Sequence, residues 1–307
     1  MKEALVSEGV RPYSYNGKQG AGAGQVVIKF IVSGSNPKDW KVPMWFDCIV
    51  NAGDDIAGVV HEAGKDVFEF KVGDRVAAFH EMMQPGGSYA EYAIELYATV
   101  LTTLLPQPWL PAMDPIPLVI YGAVSAVGAY AVQLAQRSNI HPLIYVAGRS
   151  IVHVETLIDR SKGDVILDYC EEDNATVGGL RRAAGSKPLL HALDAVSKPW
   201  SYINIFKALA DSARITFVQD VEANQVPSHI EHSRTRVGSV HQDAKNFGYV
   251  YFRYFARGLQ EGWLRPRPQE AVPGGLGGIQ QALKNLKHGK ANAVKYVFRI
   301  ADTEGAN

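Results

Sequence analysis

Up to about residue 98 the chain alternates short apolar runs with Gly, Pro and Asp punctuation, the pattern of a predominantly β region. Gln25–Val32, Asp55–Val60, Asp74–Phe79 and Ser88–Ile94 read as strands. From Leu118 the pattern changes to strand followed by helix: Leu118–Tyr121 then Ala126–Arg137, Leu143–Ala147 then Val154–Lys162, Val165–Asp168 then Thr176–Ala184. The series continues through a strand at Leu189–Val196, a helix near Ser201–Ala210, a strand at Arg214–Val218 and a long amphipathic helix at Asp243–Gly262. Such alternation predicts a parallel, doubly wound sheet of five or six strands, an α/β fold. After Pro266-Arg-Pro268, a Gly-rich turn precedes a helix at Ile279–Lys287 and a strand at Lys295–Ile300, a segment expected to return to the β-rich region.

At 307 residues and 47% hydrophobic composition, the chain can bury a large core or two smaller ones. Lys plus Arg and Asp plus Glu each total 31, so no charge excess favours nucleic acid or an anionic membrane as a partner. Cys48 and Cys170 stand far apart and neither belongs to a C-x-x-C pair, which argues against a disulfide scaffold or a cysteine-rich zinc lobe and for a reducing compartment. No start resembles a secretion signal. The apolar stretch Pro117–Ala135 is broken by Gly122, Ser125, Gly128 and Gln133, so a soluble cytoplasmic protein is expected.

The first strand–helix unit carries the chemistry. Gly122-Ala-Val-Ser125-Ala126-Val127-Gly128 sits where a βα turn lays a dinucleotide pyrophosphate on exposed backbone N–H groups. It is looser than G-x-G-x-x-G, because Ser125 and Ala126 occupy the middle, and small residues that merely pack a helix on a strand would read alike. The next strand ends in Gly148-Arg149-Ser150, near the ~20-residue spacing at which such folds meet the adenosine ribose. An acidic residue there suits NAD; the fork of donors on Arg149 with the Ser150 hydroxyl suits the 2′-phosphate of NADPH, the alternative for Arg149 being a solvated loop residue.

Ala57-Gly-Val-Val60 with Gly73-Asp-Arg-Val76, the run Asn36-Pro-Lys-Asp39-Trp40-Lys41 and the Ser125–Gly128 turn occur in order. With them the chain resembles the zinc-independent medium-chain dehydrogenase/reductase superfamily. Leu105-Pro-Gln-Pro-Trp109, Val237-Gly238-Ser239-Val-His241 and Ala293-Val294-Lys295-Tyr-Val-Phe298 make it most similar to the fungal trans-acting enoyl reductases of polyketide biosynthesis. The resemblance implies a GroES-like β-rich catalytic domain, residues 1–105 and 268–307, and a Rossmann-type domain, residues 106–267. It implies that Asp39, Trp40 and Lys41 lie near the nicotinamide, with Lys41 polarising a carbonyl or holding a hydroxyl. Lys41 as a surface lysine after a turn is the competing reading. Gly122 and Ser125–Gly128 would hold the pyrophosphate, Arg149 and Ser150 the 2′-phosphate, and Tyr169 would lie on the adenine side. Gly238, Ser239, Val294 and Lys295 would close the far wall of the cleft.

The activity so implied is NADPH-dependent reduction of an activated carbon–carbon double bond in an enoyl thioester or related polyketide intermediate, with a polyketide synthase as partner if the substrate is carrier-bound. One departure bears on it. Family members spend a loop and a helix between the strand at Tyr89–Ile94 and the Pro-Gln-Pro-Trp linker; here Leu96–Leu105 stands in their place, and ten residues as helix extend only about 15 Å. A helix is therefore expected to be missing at the domain junction, with Thr102 or Thr103 the candidates to replace its threonine. The alternative function is a reductase fold repurposed for a non-redox task, as a cyclase, a pericyclase or a companion subunit.

No other constellation competes. His229-Ile-Glu-His232 has i, i+3 spacing that could set two imidazoles on one helical face, without an evident third ligand, so no metal is expected. There is no G-x-S-x-G elbow, and neither cysteine has a basic neighbour that would activate it. His241 reads as a packed histidine.

Overall fold

The computed structural model describes residues 2–7, 10–14, 20–84, 86–90, 92–95, 105–148, 151–291 and 293–306. The chain divides into two compact units, one of Met1–Leu101, Gly238–Phe252 and Arg267–Asn307, the other of Thr102–Val237 and Arg253–Pro266. Arg149, Ser150, Thr102, Thr103 and the expected helix gap at 96–104 lie outside the described residues.

The first unit opens with an antiparallel pair, β1 (Lys2–Val6) and β2 (Val10–Ser14). Next come β3 (Val26–Gly34), α1 (Lys38–Phe46), β4 (Asp55–Ala63), β5 (Arg75–Phe79) and β6 (Tyr92–Glu95). The β3 strand is antiparallel to both β4 and β6, and register shifts at Val27/Ile28 and Phe30/Val32 bend it. Its inward residues Ile28 and Phe30 join Ile56, Val60 and Tyr89 in one core. Each large apolar side chain buried there contributes about 1.5–3 kcal/mol.

Two details depart from the sequence expectation. The strand expected from Ser88 begins only at Tyr92, because Ser88 N–H donates to Gly53 O (2.8 Å) and Tyr89 N–H to Asn51 Oδ1 (3.0 Å), so these donors serve loop partners instead of a ladder. The Asn36–Lys41 run enters a helix that contains Pro43. A proline reads in sequence as a helix breaker, which hides α1.

In the second unit, β7 (Leu118–Tyr121), α2 (Ala126–Arg137), β8 (Leu143–Ala147), α3 (Ile151–Val154) and β9 (Val165–Asp168) are followed by α4 (Asp173–Ala184), β10 (His191–Asp194), α5 (Pro199–Ala208), β11 (Arg214–Phe217) and β12 (Glu231–Arg234). The sheet order is β12-β11-β10-β7-β8-β9, every neighbouring pair parallel. This is the doubly wound order, with its reversal point between β7 and β10. All four residues of β7 and all five of β8 are buried, as continuous apolar runs covered on both faces require.

The helix expected at Val154–Lys162 is instead the single turn α3 and a 3₁₀ turn at Arg160–Lys162. Thr156 Oγ1 donates to His153 O (2.7 Å), and Asp159 accepts from Ser161 N–H (3.1 Å) to start the new turn. Both side chains compete with helical backbone bonding. His232 lies in β12, so the two imidazoles do not share a helical face. Among the described residues, no group of three or more His, Cys, Asp or Glu is arranged to hold a metal ion.

The 17-residue α6 (Lys245–Glu261) leads to β13 (Gln269–Ala271), α7 (Ile279–Lys287) and β14 (Lys295–Arg299). β14 is antiparallel to β3 and completes the order β13-β14-β3-β4-β5 in the first unit. Residues 238–252, expected with the nucleotide-binding region, group with the first unit, where His241 stacks on Phe79 with ring centroids 5.5 Å apart. Among the described residues no helix is long and apolar enough to cross a membrane.

Candidate nucleotide and active-site residues

At the reversal point of the parallel sheet, β7 ends in a turn that only small residues can build. Gly122 has φ 76°, and a Cβ placed on it would lie 2.6 Å from Val196 Cγ2. A Cβ on Gly128 would lie 2.3 Å from Gly122 O, so α2 and the turn approach backbone to backbone. The turn is tied to the next strand, since the Gly122 and Ala123 N–H groups both donate to Val146 O at 2.9 and 3.2 Å.

Ser125 is the N-cap of α2. Its Oγ accepts from Gly128 N–H at 3.0 Å, which satisfies one of the open donors of the first turn. The first helical backbone bond runs from Ala129 N–H to Ser125 O (3.0 Å), and Ala126 and Val127 before it are exposed. Their N–H groups, in the first turn, have no intrahelical acceptor and sit at the positive end of the helix dipole, the donor chemistry that an anionic phosphate requires. Ser125 and Ala126 thus stand where the usual motif has its second glycine, and the small Ala126 side chain leaves the backbone approachable. A pyrophosphate fits this cradle.

The carboxyl edge of the sheet carries three aromatic rings. Tyr121, at the end of β7, is 6.1 Å from Tyr169 and 6.0 Å from Trp200 between centroids, and Tyr169 and Trp200 are 5.6 Å apart. Tyr169 N–H returns to Ala147 O (3.0 Å), and its ring lies against Gly148, whose Cβ would meet Tyr169 Cζ at 2.5 Å. Asp194, at the end of β10, is buried and accepts from Val196 N–H (2.9 Å), Ser197 N–H (2.8 Å) and Ser201 Oγ (2.6 Å). Burial raises its carboxyl above the ordinary range against these donors, and the bonds fix the entry to α5. Tyr169 was named from the sequence, whereas Tyr121, Asp194 and Trp200 were not; Tyr121 and Asp194 close β7 and β10, but no local pattern marks Trp200, which lies within α5.

In the first unit Asp39 is wholly buried, with Oδ2 accepting from Asn36 N–H and Tyr89 OH, each at 2.6 Å, and Oδ1 lying 3.2 Å from Lys38 Nζ. Burial pushes its carboxyl up to about 6, opposed by the Lys38 ammonium and these donors. The same burial raises the Tyr89 hydroxyl. Lys38 also pairs with Asp54, which lies 3.3 Å from His80 Nδ1. Burial would lower the Lys38 ammonium, but Asp39 and Asp54 together hold it above its ordinary value. Lys38, Asp54, His80 and Tyr89 were not singled out in the sequence, because their proximity joins four separate segments.

Trp40 is half-buried against the first core, and Lys41 Nζ lies 5.7 Å from the ring centroids of both Trp40 and Trp45. Two ring faces therefore hold one ammonium. Lys295 Nζ donates to Asn36 Oδ1 (2.7 Å) and pairs with Asp55, which accepts from Asn36 Nδ2 (2.9 Å). Val294 packs on the first core. Gly238 and Ser239 lie in the 3₁₀ segment Val237–His241, where Ser239 O accepts from Gln242 and Ala244 N–H at 2.9 and 2.8 Å. Burial lowers the imidazole pKa of His241 in the same segment.

Residues 22–104 match the alcohol dehydrogenase GroES-like domain family. The chain is 44% identical over 308 residues to trans-enoyl reductase fsr4 of Gibberella fujikuroi (strain CBS 195.34 / IMI 58289 / NRRL A-6831), covering 89% of this chain and 91% of that protein. The fold is similar to the JamJ enoyl reductase (apo form), with TM-score 0.74 at 15% identity over 96% of this chain and 98% of the other. It is also similar to a quinone oxidoreductase of Pseudomonas syringae pv. Tomato DC3000, with TM-score 0.71 at 18% identity over 96% and 99% of the two chains. With a doubly wound parallel sheet in one unit and a GroES-like β domain in the other, the chain belongs to the trans-enoyl reductases, within the nicotinamide-dependent, zinc-independent medium-chain dehydrogenase/reductase oxidoreductases.

Proposed function

We propose that this chain reduces the activated double bond of an enoyl thioester or related polyketide intermediate with NADPH. The observation that supports this best is the Gly122–Gly128 cradle at the reversal point, with exposed Ala126 and Val127 at the positive end of α2. The bound cofactor supplies the hydride for the β-carbon of the substrate. The protein's part is to bind, orient and compensate charge.

In this reading the cradle fixes the pyrophosphate, Arg149 and Ser150 take the 2′-phosphate, and Tyr169 borders the adenine. Lys41 supplies a cation, kept in place by Trp40 and Trp45, for the substrate oxygen on which negative charge develops as the β-carbon is reduced. The proton at the α-carbon comes from solvent. Asp39 acts from within the fold by securing Asn36 and the start of α1, and Lys295 does so through Asn36 and Asp55. Val294, Gly238 and Ser239 are further cofactor-binding residues in this reading. A carrier-bound substrate would make a polyketide synthase the partner. Cys48 and the exposed Cys170 form no disulfide, which suits a cytoplasmic location.

The test is calorimetric titration with NADPH and NADH, followed by turnover of an enoyl thioester monitored as loss of reduced-nicotinamide absorbance. Micromolar NADPH binding, weaker NADH binding and stoichiometric NADPH oxidation are expected. Absence of NADPH binding at millimolar concentration would overturn the reading.

A further inference from the structure

Trp200 is the second residue of α5, directly after Pro199, and it is 49% exposed although it is the largest aromatic side chain at the carboxyl edge of the parallel sheet. Its two ring neighbours are unequal. Tyr121 is buried to 1% exposure and belongs to the core, whereas Tyr169 is only half-buried. The trio therefore grades from core to surface, ending in an indole that leaves about half its area to solvent. A purely structural tryptophan would be expected to bury most of its ring.

The location supplies the reason for that exposure. In a doubly wound sheet the ligand lies outside the carboxyl ends of the strands at the reversal point, with its ribose at the end of the second strand. That strand is β8, which ends at Ala147 and is followed directly by Gly148, on which the Tyr169 ring rests. Trp200 lies beside Tyr169, with ring centroids 5.6 Å apart and ring planes tilted by 42°. A base is joined to its ribose by a single glycosidic bond, so with the ribose at Gly148 the Tyr169 ring and its neighbour Trp200 are the aromatic surfaces nearest to hand. We infer that Trp200 is a binding residue of this chain for the adenine base, an indole platform that together with Tyr169 receives the base by stacking. The inference rests on the nucleotide-dependent reading above and adds a base-recognition residue to it.

Lys198, two positions earlier, caps α5 through Ser201, and Ser201 bonds the buried Asp194. The backbone that presents Trp200 is thus fixed by these two bonds before any ligand arrives. A preformed platform of this kind costs little ordering on binding.

The test uses the two halves of the cofactor as separate probes. Adenosine 2′,5′-bisphosphate, AMP and reduced nicotinamide mononucleotide are titrated by calorimetry and by intrinsic fluorescence into the full chain, Trp200→Phe and Trp200→Ala. The chain has five tryptophans, so the difference between wild type and Trp200→Phe isolates the signal of this one. Adenosine 2′,5′-bisphosphate and AMP are expected to quench the wild-type emission. Trp200→Phe should lose most of the quenching while affinity stays within about twofold, and Trp200→Ala should bind both adenine ligands roughly tenfold more weakly, the scale of one base stacked on one ring. Reduced nicotinamide mononucleotide should bind all three proteins alike.

Unchanged adenine-ligand affinity in Trp200→Ala, or equal weakening of the nicotinamide half, would show that the indole serves only the fold. If NADPH binds but its adenine half leaves Trp200 emission unaltered, this inference fails while the reductase reading stands. If neither NADPH nor any fragment binds the wild type, both fall.

Discussion

Replacing Gly128 by alanine tests whether the first βα turn is a cradle shaped by backbone contact. The added methyl would lie 2.3 Å from Gly122 O and 2.9 Å from Ala123 Cα, both backbone atoms that cannot rotate away. Forcing a methyl into such a contact costs about 1–3 kcal/mol, against a gain of up to about 1 kcal/mol from the better helix propensity of alanine. Net destabilisation of about 1–2 kcal/mol is expected, together with weaker NADPH binding, because the turn can relieve the clash only by moving α2 away from Gly122. Gly178→Ala in α4 is the matched control. Its Cβ meets only Arg182 Nη1 at 3.2 Å, the free end of a flexible side chain, so the same chemical change should stabilise by about 0.5–1 kcal/mol and leave NADPH binding unaltered. Urea midpoints and NADPH isotherms of the two variants read these quantities. Equal stability and equal NADPH affinity in Gly128→Ala would refute the idea that close backbone approach builds the site.

Three further outcomes are expected. Asp39 titrates at about 6 in the folded chain against an ordinary 3.8, so between these values the folded state binds more protons than the unfolded one and stability falls as pH rises. The stability of wild type relative to Asp39→Asn should accordingly decline from about pH 4 to about pH 6 in urea titrations, and a wild-type advantage that grows over that window would contradict the assigned burial. Arg149→Ala should weaken NADPH by about 1.5–3 kcal/mol more than NADH, the scale of a charge-assisted phosphate contact, and equal losses in calorimetry would misplace the 2′-phosphate. Lys41→Met should lower kcat for an enoyl thioester at least tenfold with little change in the NADPH Kd; an unchanged kcat would remove Lys41 from the chemistry.

The buried polar group in the first unit changes how the Asn36–Lys41 run is understood. Nearby residues there have different tasks: Asp39 faces inward to Tyr89 and Lys38, while Lys41 lies 5.7 Å from each of two tryptophan rings. A helix turns about 100° per residue, so two positions along α1 separate a buried carboxylate from a partly exposed ammonium. The buried charge of Asp39 is tolerated because Lys38, Tyr89 and the Asn36 N–H all compensate it, and removing any one of them leaves a desolvated oxygen short of a partner.

Local pattern alone located β7, α2, β8 and β9 with matching ends and the turn after Tyr121, since short apolar runs between turn residues suit the strands of a parallel sheet and small residues mark the close helix–strand approach. The same pattern failed at Val154–Lys162, where Thr156 and Asp159 side chains redirect the backbone, and at α1, where Pro43 conceals a helix. Only the tertiary structure decided that Asp39 is secured by Tyr89, that Lys295 neutralises Asp55 beside Asn36, and that Tyr121, Tyr169 and Trp200 share one edge. These partners lie from 31 residues apart, for Tyr169 and Trp200, to 240 apart, for Asp55 and Lys295, or on strands whose neighbours are set by crossover connections; periodicity specifies which way a side chain points along its own element, and the packing of distant elements specifies what it meets.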